Sequence, residues 1–227
     1  MKKVCKYAAA AAVIAFLLHR SIYLDNLQNV KEQQRRQAFN AAEYARGFWD
    51  GQLFTVLDKA VDVKELIELF NTNMAEAIRR YGKTPGVSRV YAYLLRGEGR
   101  ILTTAQDGLE VSVREPQANP DVFIATGLYI PGNAVRDASG LIDVSEFSDT
   151  MKFNEISSEI NKIVVKEVIG PFLDKDPGAG KTVRFLGATQ VSQDATEEHF
   201  FGQLVSDTTE AKEFQLVRVV PIELELE

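Results

Sequence analysis

The sequence predicts an α+β protein in which helices come first and strands come after, with one helix set between the third and fourth strands. Three observations predict it. Apolar residues recur at helical spacing from Phe39 to Tyr81. After Pro85 the period changes to two, and a helical pattern returns only once more, around Asn154 to Val168, before two further alternating runs. A 3.6-residue period marks an amphipathic helix and a two-residue period a half-buried strand. A chain of 227 residues is long enough for one sizeable core or two small ones.

Residues 1–23 contain no acid but carry Lys2, Lys3, Lys6 and Arg20 around the apolar run "AAAAAVIAFLL", Ala8 to Leu18. A basic start leading into a short apolar run is the pattern of an export signal. No Ala-x-Ala stands after Leu18. An uncleaved signal-anchor therefore fits better than a cleaved signal peptide, with Lys6 and Arg20 reaching toward the headgroups.

Residues 24–86 are expected to be helical. Phe39, Ala42, Ala45 and Trp49 fall on one face of a first helix that runs to about Asp50. A second begins at Asp62, with Glu65 three residues on as in a capping box. Its apolar face comprises Leu66, Ile67, Phe70, Met74, Ala77, Ile78 and Tyr81, and Gly82 ends it.

Residues 87–227 hold the strands. "VSRVYAYLLRGEGRILTT", Val87 to Thr104, is one long strand or a pair broken at Gly97-Glu98-Gly99. Asp107-Gly108 before "LEVSVRE" is a hairpin signal. The nearly continuous apolar run "DVFIATGLYIPG" suits a central strand, and "NAVRDASGLID", Asn133 to Asp143, a loop after it. The inserted helix takes Asn154 as its N-cap and stops at Gly170-Pro171. The strand "KTVRFLGATQV" and the closing run "FQLVRVVPIELELE" complete the series. In that last run Phe214, Leu216, Val220, Ile222, Leu224 and Leu226 share one parity, and Pro221 marks an edge along part of it. Three strands, a helix and two strands is the element order of the OB-fold, a five-stranded Greek-key barrel. The expected architecture is therefore N-terminal helices leading into an OB-like five-stranded β-barrel, with the inserted helix plugging one end.

"PGAGKTVRF", Pro177 to Phe185, resembles a phosphate-binding loop but lacks two of its parts. Five residues before Gly180 stands Lys175, not glycine, and the residues after Thr182 alternate like a strand. A phosphate cradle needs the free N–H groups of a helix start. The stretch is expected to be a turn entering a strand.

Composition narrows the chemistry. Cys5 is the only cysteine and lies ahead of the apolar run, so the body has neither a thiol nucleophile nor a thiolate metal site. His199, in "DATEEHFFG", is the only histidine after the leader and is expected in a loop. No cofactor or metal is expected. With the four N-terminal bases set aside, 22 bases face 32 acids, a formal charge of −10. So acidic a body does not attract nucleic acid, although Tyr91 and Tyr93 would suit an OB-type single-strand binder. Three residues are candidate ligand contacts. Arg136 and Asp137 could hydrogen-bond a sugar or structure their own loop, and Glu98 could face a groove or a solvated turn.

Four segments taken in order, "YARGFWDGQLFTVLDKAVDVKELI", "RRYGKTPGVSRVYAYLLRGEG", "NAVRDASGLIDVSEFSDTMKFNEISSEIN" and "GKTVRFLGA", resemble a family of predicted periplasmic lipoproteins of unknown function (domain of unknown function 2291). The resemblance spans about Ala41 to the C-terminus. It implies export and a place beside sugar-type ABC uptake systems, and it assigns no site residues. A lipoprotein cysteine would stand after the apolar run, whereas Cys5 precedes it. The functional expectation is a non-catalytic periplasmic binding or scaffolding protein, held to the inner membrane by its N-terminus. Its partners would be transporter components or a small polar solute. A carboxylate-dependent enzyme acting on glycans is the alternative.

Overall fold

The computed structural model describes residues 39–114, 119–147, 149–193 and 216–227. The expected signal-anchor and His199 lie outside them. Six strands form one sheet: β1 (Val61–Asp62), β2 (Val90–Thr104), β3 (Gly108–Ser112), β4 (Val122–Ala125), β5 (Thr182–Ser192) and β6 (Val217–Leu226). The order is β1-β2-β3-β4-β6-β5, and β2 also pairs with β5, which closes β2 to β6 into a five-stranded barrel. All contacts are antiparallel except β4 with β6 and the short β1 with β2. Mixed pairing of this kind is what a Greek-key barrel needs to close. Ala41–Glu227 forms one compact unit.

One strand makes closure possible. β2 is 15 residues long and unbroken, pairing with β5 from Val90 to Arg100 and with β3 from Arg100 to Thr104. Gly97-Glu98-Gly99 is therefore not a turn. A Cβ on Gly99 would come within 2.4 Å of the Ser112 carbonyl oxygen, and one on Gly97 within 2.6 Å of Val63. These glycines let neighbouring chains approach where the strand coils, a usual role of glycine inside a barrel strand. The Asp107-Gly108 hairpin forms as expected, with Thr104 opposite Leu109 and the Ala105 N–H donating to the Gly108 carbonyl at 2.8 Å. The remaining edge of β2 is covered by β1 and by a bridge from Lys83 to Ala92. It offers no long free template to another chain.

The barrel interior is filled by Tyr93, Leu95, Ile101, Val111, Ile124, Phe185, Val219 and their neighbours. The inserted helix does little of the expected plugging, contributing Phe172 near its end. Most of the plug comes from two helices ahead of the barrel, through Val63, Leu66, Ile67, Phe70 and Ala77. Where one helix is expected, Val63–Thr72 and Met74–Tyr81 are separate, here α2 and α3 once α1 is assigned to Ala41–Gly47. The Asp62 carboxylate caps α2 by accepting from the Lys64 N–H at 2.8 Å. Asn73 breaks the run: its backbone leaves the helical region at φ −157°, and its side-chain oxygen accepts from the Glu76 N–H at 3.1 Å. Asparagine competes with the helix for backbone partners and so favours caps. Asn73→Ala is expected to cost about 1 kcal/mol, seen as a lower denaturation midpoint with unchanged slope.

A second apolar layer lies outside the barrel wall. α4 (Ala134–Ser139) packs on β2 and β5, and α5 (Thr150–Ile163) packs on α1 and α4. Ala92, Leu94 and Ala188 on the wall are buried, as are Ala134, Val135, Ala138, Phe153, Ile156 and Ile160 in the helices. The stretch expected as a loop at Asn133 to Asp143 is thus helical at its centre, and every residue of α4 is buried. α1 widens into a π turn at Phe48–Gln52, which brings Phe48 inward beside Trp49 and leaves Ala42 exposed. The cap of α5 is Asp149, not Asn154, through a bond from the Met151 N–H at 2.8 Å. Nor does Gly170-Pro171 stop the helix. A π stretch, Val164–Ile169, leads directly into α6 (Gly170–Leu173), and the Gly170 N–H reaches back five residues to Val165. A proline near the start of a helical segment lacks only a donor that would be unpaired anyway. Asp176, at φ 52°, lies in the next turn.

In β6 the expected single parity fails at a bulge. Ala188 faces Val220 and Gly187 faces Pro221, but Leu186 faces Glu223, so Ile222 is an extra residue. Val217 and Val219 point inward before it, and Leu224 and Leu226 pack on the same core after it. Pro221 falls where no ladder donor is needed. The edge expectation holds in part, because β4 accompanies β6 only from Val217 to Val219.

Candidate functional site

The three candidate contacts are not brought together. Arg136 and Asp137 sit on α4, 2% and 8% exposed, between the barrel wall and α5. The Arg136 Nε donates to Asp137 Oδ1 at 2.7 Å and Nη1 to the Phe153 carbonyl at 2.7 Å, while the guanidinium lies 3.5 Å from the centre of the Phe153 ring. The Gln190 amide of β5 donates to the other Asp137 oxygen at 3.0 Å. Burial pushes the Asp137 carboxyl up from its ordinary value, opposed by Arg136 and Gln190. Burial likewise pulls the Arg136 guanidinium down, opposed by Asp137. The mutual hydrogen bond is short and each partner has a second one, so we assign the charged pair at neutral pH. Its donors and acceptors are turned to the fold, joining α4, α5 and β5.

Glu98 has a different setting. Because Gly97 and Gly99 face the barrel interior, Glu98 faces out from the middle of β2. Strand register then puts Glu98, Arg184 and Glu225 side by side on β2, β5 and β6. Arg184 donates to Glu98 at 3.2 Å, to Glu225 at 3.4 Å and to Glu227 at 2.5 Å. The hydrogen bond to Glu98, then the charges of Glu227, Glu98 and Glu225, hold its guanidinium above the ordinary arginine range. Arg184 and Glu98 are nonetheless half exposed, 52% and 51%. This charged wall is a part of the barrel that the helical layer leaves exposed.

Two clefts flank the row and share Glu98. The larger, about 620 Å³, runs between the start of α2 and the β2–β5 wall, with Lys64, Arg100, Gly180 and Thr182 around it and Val113 at its floor. The smaller, about 330 Å³, is bordered by Asp62, Arg96, Arg184, Phe185, Glu223 and Glu225. Both lie in the size range of small-molecule sites. Neither is lined by Arg136 or Asp137. The stretch that resembles a phosphate loop does reach the larger cleft through Gly180, but its amides are engaged. The Gly180 N–H donates to Ile101 at 2.8 Å, the Lys181 N–H to Gly178 at 3.2 Å, and Lys181 Nζ to Asp176 at 2.6 Å. It is a turn entering β5, as expected.

Sequence reasoning does not find Lys64, Arg96, Arg100, Arg184, Glu223 or Glu225. The usable signal is the alternation Arg96-Gly97-Glu98-Gly99-Arg100, which puts three charges on one strand face once the glycines are taken as inward.

The family described as predicted periplasmic lipoprotein (DUF2291) matches residues 12–201. That match begins well ahead of Ala41 and stops short of the C-terminus. Among solved structures, the crystal structure of an OB-fold protein from Thermotoga maritima is similar at 27% identity and a TM-score of 0.67, over 84% of this chain and 99% of that one. No curated protein matches the chain.

Proposed function

The chain belongs to the DUF2291 family of predicted periplasmic lipoproteins and carries an OB-type barrel; on that premise we propose that it is a non-catalytic, envelope-facing module that holds a small polar solute beside a sugar-type uptake system. Residues 1–23 keep it at the inner membrane, and the charged wall of β2, β5 and β6 is its recognising surface. The observation that carries this reading is Arg184, half exposed at the smaller cleft and surrounded by three carboxylates. Alternating donors and acceptors at fixed strand spacing suit a polyhydroxylated ligand better than a reacting one. The body supplies a single imidazole and no thiol, which narrows nucleophilic and general-base chemistry to its acids.

Arg184→Glu tests the reading. Exposed ion pairs contribute roughly 0–1 kcal/mol, so the variant is expected to fold while the row from Glu98 to Glu225 loses its base. Tagged full-length protein purified from membranes should retain subunits of the uptake transporter, and the variant should recover at least about fivefold less, a change of about 1 kcal/mol in binding. Equal recovery from both would remove the wall from the proposal. Glycan turnover abolished by Glu98→Gln would replace the binding role with an enzymatic one.

A further inference from the structure

Resting on the reading that the wall holds a small polar solute, we propose that the larger cleft selects a hydroxy acid of monosaccharide size, its carboxylate on Lys64 and Arg100 and its hydroxyls on Glu98 and Thr182. Most charges around the wall are already matched: Arg184 serves three carboxylates, and Lys181 is turned to a backbone carbonyl. Arg96 at the smaller cleft is one exception, and Lys64 and Arg100 are two more. Among the described residues neither side chain has an ion-pair or hydrogen-bond partner, although both line the same cleft. In a body with a formal charge of −10, two unmatched cations at one depression form a local anion site.

The geometry restricts what that anion can be. Gly180 contributes no side chain, so the space beside Arg100 stays open, and the guanidinium lies 3.7 Å from where a Gly180 Cβ would stand. Arginine grips a carboxylate through two parallel N–H donors, and lysine adds a point charge. A bare anion would use only that end. The cleft also holds Glu98, an acceptor that repels anions but takes hydroxyl protons, and the Thr182 hydroxyl, which donates and accepts. Two cations and a carboxylate acceptor lining one cleft match a ligand with an acidic end and a hydroxylated body. The engaged amides of Gly180 and Lys181 argue against a phosphate group, which would draw on backbone donors.

Isothermal titration of the full-length protein in detergent would use D-glucuronate, D-glucose and inorganic phosphate as probes. Glucuronate is expected to bind at least about tenfold more tightly than either of the others, and to weaken as salt rises from about 50 to about 500 mM. Arg100→Gln and Lys64→Met, both exposed, should each lower its affinity about tenfold with no change in melting temperature. Equal binding of glucose would overturn the acidic preference and leave the solute-holding reading standing. Equal binding of phosphate would reduce the cleft to a plain anion site. Glucuronate binding that survives both substitutions, or no glucuronate binding at all, would refute the proposal, whatever the transporter recovery shows.

Discussion

Arg136→Met is expected to destabilise the protein by about 3–5 kcal/mol, the cost of leaving one partner of a buried ion pair without the other. Methionine fills much of the same volume, so the loss falls on Asp137, which keeps only the Gln190 amide in a buried setting. The effect should depend on pH. Burial already raises the Asp137 carboxyl above its ordinary value, and removing the guanidinium raises it further. A group whose folded pKa exceeds its unfolded one contributes stability below the unfolded value and loses it as pH rises through the folded value. The deficit of the variant should therefore be greatest at neutral and alkaline pH and shrink as pH falls toward the ordinary aspartate range. Denaturant titrations at both ends check this, and a deficit independent of pH would mean that the damage is packing alone. Arg136→Met with Asp137→Leu should recover most of the stability, since a well-packed apolar pair often replaces a buried ion pair without loss.

Asp121→Ala is expected to cost about 3 kcal/mol by leaving two backbone donors of a buried strand end without an acceptor. Asp121 is 4% exposed. One of its oxygens accepts from the Val113 N–H at 2.8 Å and the Arg114 N–H at 3.0 Å, and the other from Arg114 Nε at 2.7 Å. Its own carbonyl accepts from the Val217 N–H at 2.9 Å, where β6 joins β4. The carboxylate thus fixes the place where the barrel closes. Asp121→Asn retains an acceptor oxygen and should cost about half as much. Hydrogen exchange should quicken at Val113 and Val217 in the alanine variant. Equal losses in the two variants would deny the hydrogen bonds their role.

The barrel was legible because its signals are local. The change of period after Pro85, the Asp-Gly hairpin and the helix set before β5 each occupy a few adjacent residues. The helical layer was less so. α4 has six residues and buries an arginine and an aspartate, so its composition is that of a loop while its surroundings make it core. Only the third dimension reveals that Phe153 and Gln190 complete the pair. Gly97-Glu98-Gly99 left two readings open for a related reason: glycine serves turns and crowded strands alike, and the neighbours that distinguish them, Val63 and Ser112, are distant in sequence. The charged wall was hidden by that same ambiguity, because Glu98 gains Arg184 and Glu225 only if β2 runs straight through.

Ile222 is a supernumerary residue, and its exclusion from the strand pairing decides which way three acids look. Were it taken into the ladder instead of bulged out, the parity set upstream, with Val217 and Val219 in the interior, would carry Glu223 and Glu225 inward in place of Leu224 and Leu226. Carboxylates would then crowd against Phe185, and Arg184 would face solvent with fewer counter-charges. The bulge thus keeps one strand apolar toward the centre along its whole length and acidic on its outside at its end. A shift of pairing at Pro221 to Glu223 is therefore the change to which the outer surface is most sensitive, far more than to any exchange of one exposed charge for another.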